Sequence, residues 1–183
     1  WNTANEVGLP RLLILNRLDL ERASLERALG SLQDVFGRKV VPVQLPLGEE
    51  KSFHGVIDLV SMQELVFNSD GSGKFSAQEV QSESAEKANA ARDKLIEVIA
   101  ETDDTLMEKF FEAGTLTQQE LNEGLKTATR AGLVFPLFCT SATLNIGIQP
   151  VLESMLTYLP SPADRPFSGV DRSSNEPVIC EAK

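Results

Sequence analysis

One histidine, two cysteines, one tryptophan and one tyrosine are all that 183 residues hold of those types. The single histidine, His54, leaves no partner for a His-based metal centre or a Ser-His-Asp triad, and no metal ligands are expected. Cys139 and Cys180 form no close pair, which argues against a disulfide framework or a zinc site and suits a reducing cytoplasm. No apolar run approaches the roughly 20 residues of a membrane span, and no basic segment precedes an apolar one as in a secretory leader. Positive charge is scarce too: 17 Lys and Arg stand against 27 Asp and Glu, for a net charge of −10. A nucleic-acid backbone needs dense positive charge, so direct nucleic-acid binding is not expected, whereas a basic protein partner fits. What is present is an ordinary globular balance, 42% hydrophobic and 24% charged, in a chain long enough to bury a core without staples.

The pattern along the chain predicts an α/β fold with an inserted α+β piece. Leu12–Leu15 is a short two-face apolar run, as in a buried parallel strand. Polar Asn16-Arg17-Leu18-Asp19 follows, and then Leu25, Leu29, Leu32 and Phe36 at helical spacing before Gly37. Val40–Leu47 reads as one strand, Gly55–Val60 as a second and Glu64–Phe67 as a third; a dense turn cluster, Asn68–Gly73, then leads into a return strand at Lys74-Phe75. Residues 84–131 are helical in composition, with a capping-box pattern at Thr117–Glu120. Acidity gathers there: 12 acidic and 4 basic residues lie between Gln78 and Gly124, with Asp93, Glu97 and Glu101 on one helix face. The parallel-strand style returns at Leu133–Cys139, followed by Thr140-Ser141-Ala142-Thr143 and a helix from Gly147 to Leu159. Ala163–Glu176 reads as polar linker, and Val178–Lys183 as the start of another strand. That ending, and an opening at Trp1 rather than Met, are expected of a piece of a larger polypeptide.

Ligands of open α/β sheets bind beyond the carboxyl ends of the strands, where two loops are expected: Asn16–Asp19 and Ser141–Thr143. Either alone is weak evidence, since N-x-x-D after a strand also makes Asx turns and helix caps. Together, in this order, each after an apolar strand and before a helix, they match guanine-recognition motifs of the N-K-x-D and S-A-x type. The chemistry is specific. Guanine offers a ring N–H and an exocyclic amine side by side, and the Asp19 carboxylate can accept both. Its O6 needs a donor, which the Ala142 amide would supply. Asn16 would tie the loops together and reach N7, and the stem of Arg17 would lie on the face of the base. Adenine reverses the edge and leaves these groups unpaired.

The chain resembles the middle part of bacterial elongation factor G, a translational GTPase. The likeness is carried by Gly8-Leu9-Pro10-Arg11, Pro42–Gly48, Phe53–Val60, Leu106-Met107-Glu108-Lys109, Cys139–Ala142 and Tyr158–Pro162. It implies a partial GTPase-type open sheet from residues 1–37 and 133–160, an inserted G′ subdomain over 38–132, and at 161–183 a linker with the first strand of a following β-barrel domain. It also implies GTP or GDP as ligand, read by Asn16, Arg17, Asp19, Ser141, Ala142 and Thr143. The implied partners are the ribosome and, through the acidic insertion, the ribosomal stalk protein. Two other assignments stand beside this one: a protein-interaction module, and a related ribosome-associated GTPase such as a release factor or ribosomal protection protein. The family has Lys where this chain has Arg17, which alters what can reach the phosphate side.

GTP hydrolysis needs a phosphate-cradling loop, a Mg²⁺ ligand and a positioned water. The only Gly-Lys pair, Gly73-Lys74, fails the G-x-x-x-x-G-K-[ST] pattern at Asn68 and Phe75 and reads as a hairpin turn. D-x-x-G occurs at Asp34–Gly37 and Asp70–Gly73, in the wrong chain order for a switch. Family members carry these motifs upstream of Trp1, so these residues are expected to bind the base without catalytic residues of their own. His54 reads as a surface histidine, Cys139 as a small apolar strand residue, and Asp103-Asp104 as a helix start.

Overall fold

The structure, a computed structural model, describes residues 1–164, 167–174 and 176–180. The two apolar runs pair as their composition requires. β1 (Leu13–Leu15) lies parallel to β7 (Phe135–Cys139), in register Leu13↔Leu137 to Leu15↔Cys139. On its other side β7 takes up β2 (Val40–Pro42), also parallel, so the order is β1-β7-β2. All five residues of the central strand are buried, which explains its unbroken apolar sequence.

Val40–Leu47 is two strands, not the single one expected. β2 belongs to the parallel sheet, whereas β3 (Gln44–Leu47) pairs antiparallel with β4 (Gly55–Asp58) in a second sheet. The expected boundary at residue 38 therefore falls ahead of a strand of the parallel sheet. Pro42 has no N–H to continue a ladder. Val43 bridges the two sheets instead, donating to the Leu137 carbonyl at 3.1 Å and accepting from the Leu59 amide at 3.0 Å. The second sheet continues through β5 (Gln63–Phe67) and β6 (Phe75–Glu79), in the order β3-β4-β5-β6. Pro46 is tolerated because β3 is an edge strand.

The helices start and stop on local chemistry. A short α1 (Asn2–Glu6) precedes β1. α2 (Leu25–Phe36) is capped by Ser24 and ends at Gly37, φ 71°; its stripe of Leu25, Leu29, Leu32 and Phe36 packs on Val40, Phe135 and Leu137. The helical region divides into α3 (Ser82–Ala100), α4 (Asp104–Ala113) and α5 (Gln118–Arg130). Asp103 accepts from the amides of Thr105 and Leu106, and Thr117 and Glu120 cap each other reciprocally, both as the sequence implies. α3 and α5 bury Leu95, Ile96, Ile99, Leu121 and Leu125 against Val41, Val43, Leu45, Ile57 and Leu59. One core thus runs beneath both sheets. α6 (Ile148–Tyr158) follows β7.

The expected linker at Ala163–Glu176 contains a strand. β8 (Phe167–Val170) pairs antiparallel with β9 (Pro177–Cys180). The polar residues between them close a hairpin: Asp171 accepts from the Ser173 amide at 2.8 Å and hydroxyl at 2.6 Å, and its own amide donates to the Glu176 carbonyl at 3.0 Å. Residues 181–183 of the expected final strand lie outside the described residues.

The Lys109 ammonium, 2.7 Å away, and then the Thr117 hydroxyl and amide hold the Glu120 carboxyl at about 2, below the usual value of 4.5. A depressed folded pKa contributes stability that is present above the unfolded value and lost as pH falls through the folded one. Glu120→Gln is therefore expected to melt at lower temperature than wild type at pH 7. The two melting temperatures should converge between pH 4.5 and 2, the span between those two values, as thermal denaturation across a pH series will show.

Candidate functional site

Because β1 and β7 are parallel and in register at Leu15↔Cys139, the segments leaving their carboxyl ends emerge side by side. The Thr140 amide donates to the Leu15 carbonyl at 2.9 Å, and the Leu18 amide donates to the Thr140 carbonyl at 3.2 Å. Asn16 joins the loops through one atom. Its Oδ1 accepts from the Arg17 amide at 2.8 Å, the Ala142 amide at 2.9 Å and the Thr140 hydroxyl at 3.3 Å. With Oδ1 so engaged, the carboxamide NH₂ has no hydrogen bond among the described residues. The tie expected of Asn16 is present. The Ala142 amide, expected to serve a base oxygen, is bonded to Asn16 in this structure.

The first loop turns sharply. Arg17 is left-handed at φ 65°, and the turn buries Leu18, which is 4% exposed, while Asn16 and Arg17 face solvent. Asp19 is half-buried, and its Oδ1 is inaccessible and without a hydrogen-bond partner among the described residues. An unpaired buried acceptor costs about 1–3 kcal/mol, more when charged, so the Asp19 carboxylate keeps acceptor capacity that no described group of the protein fills.

In the second loop Ser141 is fully buried and exchanges two 3.0 Å backbone hydrogen bonds with Ile146, while its hydroxyl accepts from the Leu144 amide at 3.3 Å. Its side chain therefore closes its own turn. Ala142 and Thr143 are left exposed at the tip. Gly147, φ 77°, ends the loop, and a Cβ there would overlap the Cys139 carbonyl.

The second sheet forms the floor of this site, an arrangement that the motifs do not announce. Leu18, Cys139 and Ile146 pack with Phe53, Val56, Leu65 and Phe67. Gln44, wholly buried at the start of β3, accepts from the Cys139 amide through Oε1 at 3.2 Å. A lone glutamine inside an apolar strand was the available signal. The turn between β5 and β6 reaches the second loop, where Asn145 Nδ2 donates to the Gly71 carbonyl at 3.1 Å.

Other residues singled out from the sequence lie apart from this chemistry. His54 is exposed, its ring hydrogen-bonded to the Ser52 carbonyl at 2.7 Å. Burial pushes the Cys139 thiol up to about 12, which makes it inert. Asp93 and Glu97 are exposed on α3, and Glu101 lies 3.9 Å from Arg38. Among the described residues no group of three or more His, Cys, Asp or Glu is placed to hold a metal ion, and no helix is long and apolar enough to cross a membrane.

No family model matches the chain. Elongation factor G from Fervidobacterium nodosum is 37% identical over 177 residues, which are 96% of this chain and 26% of that protein. A crystal structure from Thermus thermophilus superposes with a TM-score of 0.79 at 31% identity, over 93% of this chain and 26% of that one. The chain thus spans about a quarter of the length of the relatives it matches. Over nearly all its length the chain corresponds to a segment of elongation factor G.

Proposed function

We propose that this segment is the guanine-reading part of a GTP-dependent elongation factor that promotes ribosomal translocation. The observation that carries the reading is the buried, unpartnered Asp19 Oδ1 beside two loops that Asn16 holds together. Asp19 accepts the ring N–H and the exocyclic amine of guanine. The Ala142 amide serves O6, sharing or giving up its bond to Asn16. The free NH₂ of Asn16 donates to N7, and the Arg17 stem lies over the ring. Thr143 stands at the tip of the same loop, and Ser141 shapes it. Phosphate and Mg²⁺ chemistry belongs to a P-loop pattern that these 183 residues do not contain, so hydrolysis is a property of the longer protein. That protein acts in the cytoplasm, at the ribosome.

A second surface has its own support. Asp93 and Glu97 are solvent-facing and make no ion pair among the described residues. In this reading they meet a basic surface, that of the ribosomal stalk protein.

Asp19→Asn, made in the full-length protein, is expected to weaken GDP binding by about 3–5 kcal/mol, because a mixed amide replaces two acceptors, and to favour xanthosine diphosphate. Calorimetry that finds GDP held as tightly as in wild type overturns the base assignment. Asn16→Ala removes the acceptor shared by both loops and is expected to cost about 1 kcal/mol of stability. Asn16→Asp keeps an acceptor oxygen there and should lose less, as urea denaturation will show. Glu97→Lys is expected to weaken capture of the stalk protein at low salt, and capture indifferent to that reversal would count against an electrostatic contact.

A further inference from the structure

The turn joining β5 to β6 belongs to the insertion, yet its tip lies against the second base-reading loop. Asn145 makes the junction. It is left-handed at φ 55°, its amide donates to the Ala142 carbonyl at 3.3 Å, and its side-chain Nδ2 donates to the Gly71 carbonyl at 3.1 Å. Its Oδ1 accepts from Gln149 Nε2 at 3.5 Å. The seat is tight, because a Cβ on Gly73, φ 72°, would overlap the side chains of both Asn145 and Gln149. The tip is itself braced. Asp70 accepts from the Ser72 amide at 2.9 Å, Ser72 accepts from the Lys74 amide at 3.2 Å, and the Asn68 amide donates to the Lys74 carbonyl at 2.9 Å. A hydrogen-bonded hairpin end thus abuts the residue that hydrogen-bonds to Ala142, and Phe67, just before the turn, shares a core with Ile146, just after Asn145.

We propose that Asn145 is a positioning residue for base recognition: through it the hairpin tip of the insertion fixes where the Ala142 amide stands, so that the insertion and the purine pocket are mechanically coupled. Asn145 touches no base atom in this scheme. It acts through the Ala142 segment, and the coupling rests on the guanine reading given above. Any partner that shifts the insertion sheet then alters the affinity for a purine bearing O6, because the Ala142 amide reads that atom alone. Discrimination by Asp19, which reads the exocyclic amine, is left intact.

Two variants release the latch from opposite sides. Asn145→Gly keeps the left-handed backbone and removes the side chain, and Gly73→Ala lifts the tip off its seat. Hydrogen exchange on the ligand-free protein is expected to rise about fivefold at the amides of 141–146 in both variants and to stay unchanged across β1, the scale expected for one lost hydrogen bond. In the full-length protein, GDP and inosine diphosphate, which share O6 and differ at the amine, should weaken by the same roughly fivefold factor. Their ratio should be preserved, and the double variant should be no weaker than either single one. Unchanged exchange in Asn145→Gly overturns the latch. Raised exchange with unchanged GDP affinity, or factors that multiply in the double variant, reduces it to local structure and overturns the coupling. Wild-type protein that holds GDP no better than ADP sinks the underlying base reading and the coupling with it, while the exchange data still decide the contact itself.

Discussion

One carboxamide oxygen, Asn16 Oδ1, joins two loops whose residues lie 124 to 126 positions apart in the chain. The parallel register of β1 and β7 brings the loops to the same edge of the sheet, but a register fixes backbones only to the end of the strands. Beyond Leu15 and Cys139 the donors that converge on this atom join the backbone bonds of Thr140 and Leu18 in holding the segments together. Its orientation also decides the rest of the side chain: an amide that spends its oxygen inward must present its nitrogen outward. Burial of Leu18 beneath the loop and exposure of Asn16 and Arg17 above it follow from the same turn.

The parallel sheet that carries this arrangement is small. Two of its three strands are three residues long, too little to stand alone in water. Its stability comes from the core it shares with α3 and α5, where Val41 and Phe138 pack with Leu95, Ile99, Leu121 and Leu125. Each such side chain contributes about 1.5–3 kcal/mol when fully buried. The antiparallel sheet and helices α3–α5 are therefore no appendage. The helices cover one face of the parallel sheet, the second sheet lies under the two loops, and Gln44 hydrogen-bonds between the sheets.

The sequence disclosed what depends on near neighbours. The stripe of α2, the glycine that ends it, the caps at Asp103 and Thr117, and the two polar loops after apolar runs are set by contacts within a few residues, and the pattern shows them directly. Contacts between distant segments were not legible. Val40–Leu47 is apolar but for Gln44, and its pairing partners, Phe135 on one side and Ile57 on the other, divide it between two sheets. The tail reads as linker because Asp, Ser and Asn favour loops and tight hairpin turns alike. The loop motifs marked the polar segments that gather beyond β1 and β7. They did not reveal that the Ala142 amide already has a partner, nor that Phe53 and Phe67 lie beneath Leu18.

The register Leu15↔Cys139 also has a kinetic meaning. Bringing those strands together closes a loop of more than a hundred residues, and chain entropy opposes such a closure until other contacts offset it. The hairpins of β3–β6 and the helices α3–α5 are local by comparison and form on short timescales. In the folded molecule Val43 and Val134 sit in one cluster, and such contacts between the local elements and the approach to Phe135 offset the entropy of that closure.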